Sequence, residues 1–317
     1  MTYQPATISD DMSTLPQLPG WVTSGRAETL ETVAFRSGAA LTVLDQLVSD
    51  SRHGVPVKLL ANRLALGAAT ATSKLEGRMA RETDIRDAYH LTPPGEARGP
   101  DGDVLAFWRE AVRRRLGGSS ETADLIGPDL AEEVAGWLDV AQDRARTHGP
   151  LAGCAAVLRA VLAADDRAER VACLLSDFVL ARGLNWSSTL PVSALRLTKS
   201  VLRDLIAEGQ GAELAVQMRI LESIEATIRL AGDFSRRADA LRLVAPKLRA
   251  KGSEAAVDLF LTEDAVAPAS VLSPRIRGTS ILMTDRAARR FCDRLVELGV
   301  ARELTGRPTF RFYGIAS

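Results

Sequence analysis

Four arginines recur at short spacing near the end of this 317-residue chain, in a pattern that suits contact with a polyanion. They are Arg286, Arg289, Arg290 and Arg294. Spacings of three, four and eight residues place all four guanidiniums along one side of an α-helix. A guanidinium forms paired hydrogen bonds with phosphates and with the edges of guanine bases. The pattern therefore predicts the recognition helix of a DNA-binding domain, with double-stranded DNA as its partner.

A capped amphipathic helix is expected to carry these arginines. Thr284 stands at the predicted N-cap, and the helix is predicted to run from Asp285 to about Leu298. The side opposite the arginines is apolar and should be buried: Ala288, Phe291, Cys292, Leu295 and Leu298. An earlier helix, with Ser253 as its N-cap, and a short one over Pro268–Leu272 are expected to support it.

Two strands are predicted after the glycine that ends this helix. They cover Val300–Leu304 and Thr309–Tyr313, and the turn Thr305–Pro308 joins them. Alternation along the second strand predicts Phe310 and Phe312 on one face and Arg311 on the other. Arg307 at the tip of the turn and Arg311 are therefore predicted to contact DNA as part of a wing.

Charge is distributed unevenly along a chain that has no net charge. Its 40 basic residues balance its 40 acidic residues, so the whole protein has no general attraction for nucleic acid. Residues 247–313 hold twelve basic and eight acidic residues, a net charge of +4, which leaves the remainder acidic by the same amount. We therefore expect a disordered or loosely docked arm at 1–25, a helical domain at 26–245 and a winged helix-turn-helix domain at 246–317.

The helical domain makes the predicted fold class mainly α, with one small C-terminal β-hairpin. Apolar residues recur at helical spacing through the helical domain, including long segments at 57–76, 190–207 and 212–244. The three cysteines are far apart and lie in apolar patterns, and the three histidines are isolated, so neither a disulfide, a metal site nor a cofactor is expected. No segment resembles a membrane span or a signal peptide, which favours a cytoplasmic protein without membrane contact.

Three stretches carry a resemblance to a known family. They are Val244–Gly252, Thr284–Arg290 and Arg302–Gly314. Together they resemble a bacterial family known only as a domain of unknown function, DUF1403, along nearly the whole chain. This resemblance implies no established activity.

A more distant resemblance connects the chain with the Fic proteins, which are nucleotidyl transferases that often carry a C-terminal winged helix. Thr72-x-x-x-Glu76 is similar to their inhibitory helix, in which the glutamate pairs with an active-site arginine. In the segment matching their catalytic motif, Asp166 and Arg170 fit, but Leu162 replaces the catalytic histidine. The resemblance thus implies a nucleotide or switch site at Thr72, Glu76, Asp166 and Arg170, and without the histidine base we expect no catalysis.

Three functions remain open from the residues alone. The first is a DNA-binding protein, such as a transcriptional regulator, whose helical domain dimerises or senses a ligand. The second is a degenerate Fic-like protein that binds a nucleotide. The third is an adaptor that binds other proteins through the winged segment.

Overall fold

The computed structural model describes residues 15–23, 29–93, 95–116, 125–248, 251–306 and 309–315. Most of the predicted N-terminal arm lies outside these residues. The first helices are α1 (Gly20–Thr23), α2 (Leu30–Ser49), α3 (Val57–Leu75), α4 (Glu82–Leu91), α5 (Gly99–Arg113), α6 (Pro128–Ala131) and α7 (Val134–His148). They are followed by α8 (Pro150–Ala164), α9 (Glu169–Gly183), α10 (Lys199–Ile206), α11 (Ala212–Val244), α12 (Ser253–Phe260) and α13 (Asp285–Glu297).

The remaining elements are short. Turns of 3₁₀-helix cover Ser51–His53, Ser193–Arg196 and Ala245–Lys247, and one turn of π-helix covers Pro268–Leu272. The strands β1 (Ala301–Glu303) and β2 (Tyr313–Ile315) pair antiparallel, with Arg302 opposite Gly314. The mainly helical fold with a small C-terminal sheet is confirmed. In the described part of the chain, no helix combines the length and the apolar character needed to cross a membrane.

Two local predictions are wrong. The segment predicted as one helix over 190–207 breaks into the 3₁₀ turn Ser193–Arg196 and α10. The break lies at Thr198, which has an extended backbone (φ −123°, ψ 155°) and whose hydroxyl accepts from the Val201 N–H at 3.4 Å as the N-cap of a new helix. Ser253 does not cap α12 but is its first residue, following Gly252 in the left-handed region at φ 84°.

Close helix packing builds the core of the helical part. The helices α7 and α8 approach so closely at Gly153 that an added Cβ would lie 2.6 Å from the Ala141 carbonyl oxygen. The fully buried Trp108 on α5 lies against α3, where its Nε1 donates to Thr72 Oγ1 at 3.1 Å. An indole buried with its N–H satisfied adds a large apolar surface without losing a hydrogen bond.

A buried ionic cluster joins α5 to the loop after α12. The Arg109 side chain is 1% exposed; its Nη1 donates to Glu263 Oε2 at 2.7 Å and its Nη2 pairs with Asp264 Oδ1. His90 Nε2 lies 3.8 Å from the same Asp264 oxygen. Burial raises the pKa of the Asp264 carboxyl, but the Arg109 charge and the contact with His90 outweigh burial and lower it to about 2. The cluster thus fixes the C-terminal segment against the helical part.

Asp177 is another buried acid, and it forms no ion pair with any of the residues that the structure describes. Its Oδ1 accepts from two backbone N–H groups, whereas its buried Oδ2 has no hydrogen-bond partner in the described part of the chain. Burial raises the pKa of this carboxyl from 3.8 to about 7, against the opposing effect of those hydrogen bonds. Asp177 is therefore expected to change its charge near neutral pH.

Candidate nucleic-acid interface

The arginine-bearing helix α13 forms as its local sequence predicts. Thr284 Oγ1 accepts from the Ala287 N–H at 3.3 Å, and Gly299, at φ 71°, follows the end of the helix. Its apolar face is buried: Ala288, Phe291, Cys292 and Leu295. Phe291 contacts Phe260 of α12, with 6.3 Å between the ring centroids. This packing leaves the opposite face of α13 turned to solvent.

All four arginines of α13 are exposed, but they differ in their partners. Arg289 pairs with Asp285 at 2.9 Å and Arg294 with Glu297 at 2.8 Å. Exposed pairs of this kind contribute only about 0–1 kcal/mol, so a phosphate can replace the carboxylate at small cost. Within the described residues, Arg286 and Arg290 form no ion pair with a carboxylate. Their charges are therefore available to a ligand.

A groove lies beside this face. Its volume is about 620 Å³, and Arg286, Arg290 and Arg294 line it together with Lys247 from the 3₁₀ turn that follows α11. In the sequence, Lys247 lies just after the predicted boundary between the two domains. Nothing in the local pattern indicates that this stretch lies beside α13, because that approach depends on tertiary packing.

The segment predicted as a wing differs from that prediction. β2 begins at Tyr313, later than expected, and Phe310 has a left-handed backbone at φ 58°. That conformation turns Phe310 outward, where it is 72% exposed, while Phe312 is 1% exposed. The predicted common face for Phe310 and Phe312 is therefore wrong. Arg311 is exposed and lies 3.8 Å from Glu303, and Arg307 falls outside the described residues.

The short sheet has a third participant in the chain before α13. Val266 and Tyr313 exchange backbone hydrogen bonds of 2.8 and 2.9 Å, so β2 lies between Val266 and β1. The Tyr313 hydroxyl donates to Asp293 of α13 at 3.1 Å. These bonds hold the hairpin against the arginine-bearing helix.

The second predicted site contains a strong ion pair. Arg170 Nε and Nη2 donate to the two Glu76 oxygens at 2.8 and 2.7 Å, a paired geometry that fixes both side chains. Arg78 donates to Glu76 at 3.2 Å as well, and the Arg170 guanidinium lies 5.4 Å from the Phe107 ring centroid. The Glu76 carboxylate thus occupies the position of an anion between two guanidiniums.

The other two residues of that site do not join this cluster. Thr72 is buried in α3, where its hydroxyl donates to the Ala68 carbonyl at 2.8 Å and accepts from Trp108. Asp166 is exposed in the turn between α8 and α9. The structure therefore brings Glu76 and Arg170 together, gives Thr72 a packing role and leaves Asp166 in solvent.

Comparison with known proteins identifies the family of this chain. No protein with a curated description matches the chain. The family model described as "Protein of unknown function (DUF1403)" matches residues 6–315. Because this match covers nearly the whole sequence, the chain belongs to the DUF1403 family.

Proposed function

We propose that this protein binds double-stranded DNA through a C-terminal winged helix-turn-helix, in the manner of a transcriptional regulator. One observation carries the proposal: Arg286 and Arg290 stand exposed one helical turn apart on α13, without an acidic partner among the described residues. Cations left unpaired beside a hairpin match the way such domains meet the phosphates and base edges of a duplex.

The order of the C-terminal elements supports the same proposal. α12 leads to the paired residue Val266, then to the turn Pro268–Leu272, to α13 and finally to the two strands. A winged helix-turn-helix has this order, with a short strand after its first helix that joins the hairpin. The connector Pro274–Met283 is longer than a minimal helix-turn-helix needs, and Arg275 and Leu282 pair within it.

Replacing both unpaired arginines tests the proposal. We expect Arg286→Ala/Arg290→Ala to weaken binding to duplex DNA by about 10-fold to 100-fold at low salt, because two phosphate contacts are lost. Fluorescence anisotropy with labelled duplexes measures the affinity. The wild-type affinity should also fall steeply with added salt, since binding releases counterions from the DNA.

A matched control removes the same charge elsewhere. Arg113 and Arg229 are exposed on α5 and α11, away from the C-terminal segment in sequence. The variant Arg113→Ala/Arg229→Ala should bind DNA as the wild type does. Salt-insensitive binding, or equal weakening in both double variants, would contradict the proposal and favour an adaptor that binds proteins.

The Glu76–Arg170 pair favours a second candidate function, a degenerate Fic-like site that binds a nucleotide without catalysis. In this reading the Glu76 carboxylate fills the place of a phosphate and must leave before a nucleotide enters. Leu162 is buried at the position of the missing histidine and offers no base, so no nucleotidyl transfer is expected.

Removing the carboxylate of Glu76 should expose the phosphate site. We expect Glu76→Ala to bind ATP at least about tenfold more tightly than the wild type, because Arg170 and Arg78 lose their internal anion. Isothermal titration calorimetry measures this affinity. Glu82→Ala is the control, since Glu82 pairs with Arg63 at 2.6 Å and its loss also frees an arginine. Equal affinity in the two variants would rule out the second candidate.

A further inference from the structure

The groove beside α13 has two walls of different origin. One wall is the side of α13 that carries Arg286, Arg290 and Arg294, and the other is the end of the turn Ala245–Lys247 with Leu248. The residues that line the groove are Lys247, Leu248, Thr284, Arg286, Ala287, Arg290, Phe291 and Arg294. Whatever binds there meets protein on both sides.

The residues that line the groove favour an anionic ligand that also has apolar surface. Four of the eight lining residues are cations, and none of the described residues lining it is an acid. The other side chains supply one hydroxyl and an apolar surface from Leu248, Ala287 and Phe291. A sugar–phosphate backbone has this mixture, because charged phosphates alternate along it with largely apolar sugar faces.

The spacing of the three arginines favours a linear ligand over a compact one. Arg286, Arg290 and Arg294 follow one another at four-residue intervals, which is about 6 Å of rise per step along the helix. Such a row spans about 12 Å and can meet successive phosphates of one strand. A single phosphate or carboxylate would use only part of the row.

The second wall limits what the three arginines can reach. A base edge lies at the floor of the major groove, and a helix must enter that groove deeply to read it. Lys247 and Leu248 line the same groove as the arginine row, so a ligand that fills it contacts α13 and the turn after α11 together. The backbone of one strand can contact both, because it projects from the duplex, whereas a base edge is recessed at the floor of its groove.

We infer that the groove binds the sugar–phosphate backbone of one DNA strand, and that Lys247 is a DNA-binding residue that contacts this strand from the wall opposite Arg286 and Arg290. The inference depends on the proposed DNA binding and specifies how it occurs. It makes the groove a contact that positions the duplex without selecting its sequence. Sequence preference must then come from side chains outside the groove.

The variant Lys247→Ala tests this assignment in the full chain. Its affinity should fall about threefold to tenfold at low salt, by the same factor on several duplexes of unrelated sequence. The slope of log affinity against log salt concentration should become shallower by about 0.9, the value for one lost phosphate contact. Lys247→Arg should keep the wild-type slope, and circular dichroism should show that both variants remain folded.

Arg229→Ala is the single-charge control and should keep both the affinity and the slope. If the wild type binds DNA but Lys247→Ala has an unchanged slope, the groove assignment is overturned while DNA binding stands. Weakening that differs between the duplexes also overturns it, since that result indicates base reading. A wild-type protein that binds no duplex overturns the proposed function itself.

Discussion

Replacing Arg109 with methionine is expected to lower the free energy of unfolding by about 3–5 kcal/mol. The substitution leaves the Asp264 carboxylate without its main partner, although that side chain is only 1% exposed. A charge at this depth that has lost its paired guanidinium is costly because burial keeps water away from it. Urea unfolding followed by circular dichroism measures the change as a lower midpoint.

Two comparison variants separate the lost charge from the lost packing. Arg109→Met/Asp264→Leu should recover much of the loss, because the carboxylate that then lacks its partner, Glu263, is 15% exposed and can be hydrated. Arg63→Met breaks an ion pair whose side chains are 36% and 40% exposed, and should cost no more than about 1 kcal/mol. A loss below 1 kcal/mol for Arg109→Met would show that the buried cluster contributes little to stability.

The wild-type protein should lose stability as pH rises from about 4 to about 7 through the titration of Asp177. Its pKa is higher in the folded than in the unfolded chain, so the folded state binds the proton more tightly across this window. The full difference, from 3.8 to about 7, corresponds to at most about 4 kcal/mol. Above about pH 7 the contribution is lost and the stability curve flattens.

Asp177→Asn should remove this dependence. An asparagine oxygen can accept the same two backbone N–H groups, and the side chain has no charge to bury. The variant should therefore exceed the wild type in stability at about pH 8. Because other groups also titrate, the urea midpoints of the variant and the wild type are measured at each pH, and their difference is followed as the pH changes. A difference that stays constant with pH would mean that Asp177 does not titrate in this range.

Local signals predicted the helices well. The helix predicted over 212–244 matches α11, and Thr284 caps α13 as expected, because periodicity and caps are read within a few residues. The break before α10 lies at Thr198, whose extended backbone and side-chain cap are local features that apolar periodicity does not register. The turn before it is held by Asp177 from 15 and 16 residues away, and such a bond leaves no periodic trace in the sequence.

The site was predictable only in part, for the same reason. The exposed arginines follow from the pattern of one helix, whereas Lys247 joins them through tertiary packing that local sequence does not encode. Arg109 is paired with residues 154 and 155 positions away, and it looks like any other arginine in an amphipathic helix. Glu76 and Arg170 were singled out by family resemblance alone, since 94 residues separate them.

The C-terminal sheet is short, and its length limits strand pairing between copies of this protein. β2 lies between β1 and the single paired residue Val266. Among the described residues, the edge strand of this sheet is therefore β1. That edge is three residues long and includes Arg302 and Glu303. Long, flat, apolar edges recruit strands from other chains and seed aggregates, whereas a short charged edge gives an incoming strand little to pair with. The hairpin therefore adds a β-sheet to a helical protein at little risk of intermolecular strand addition.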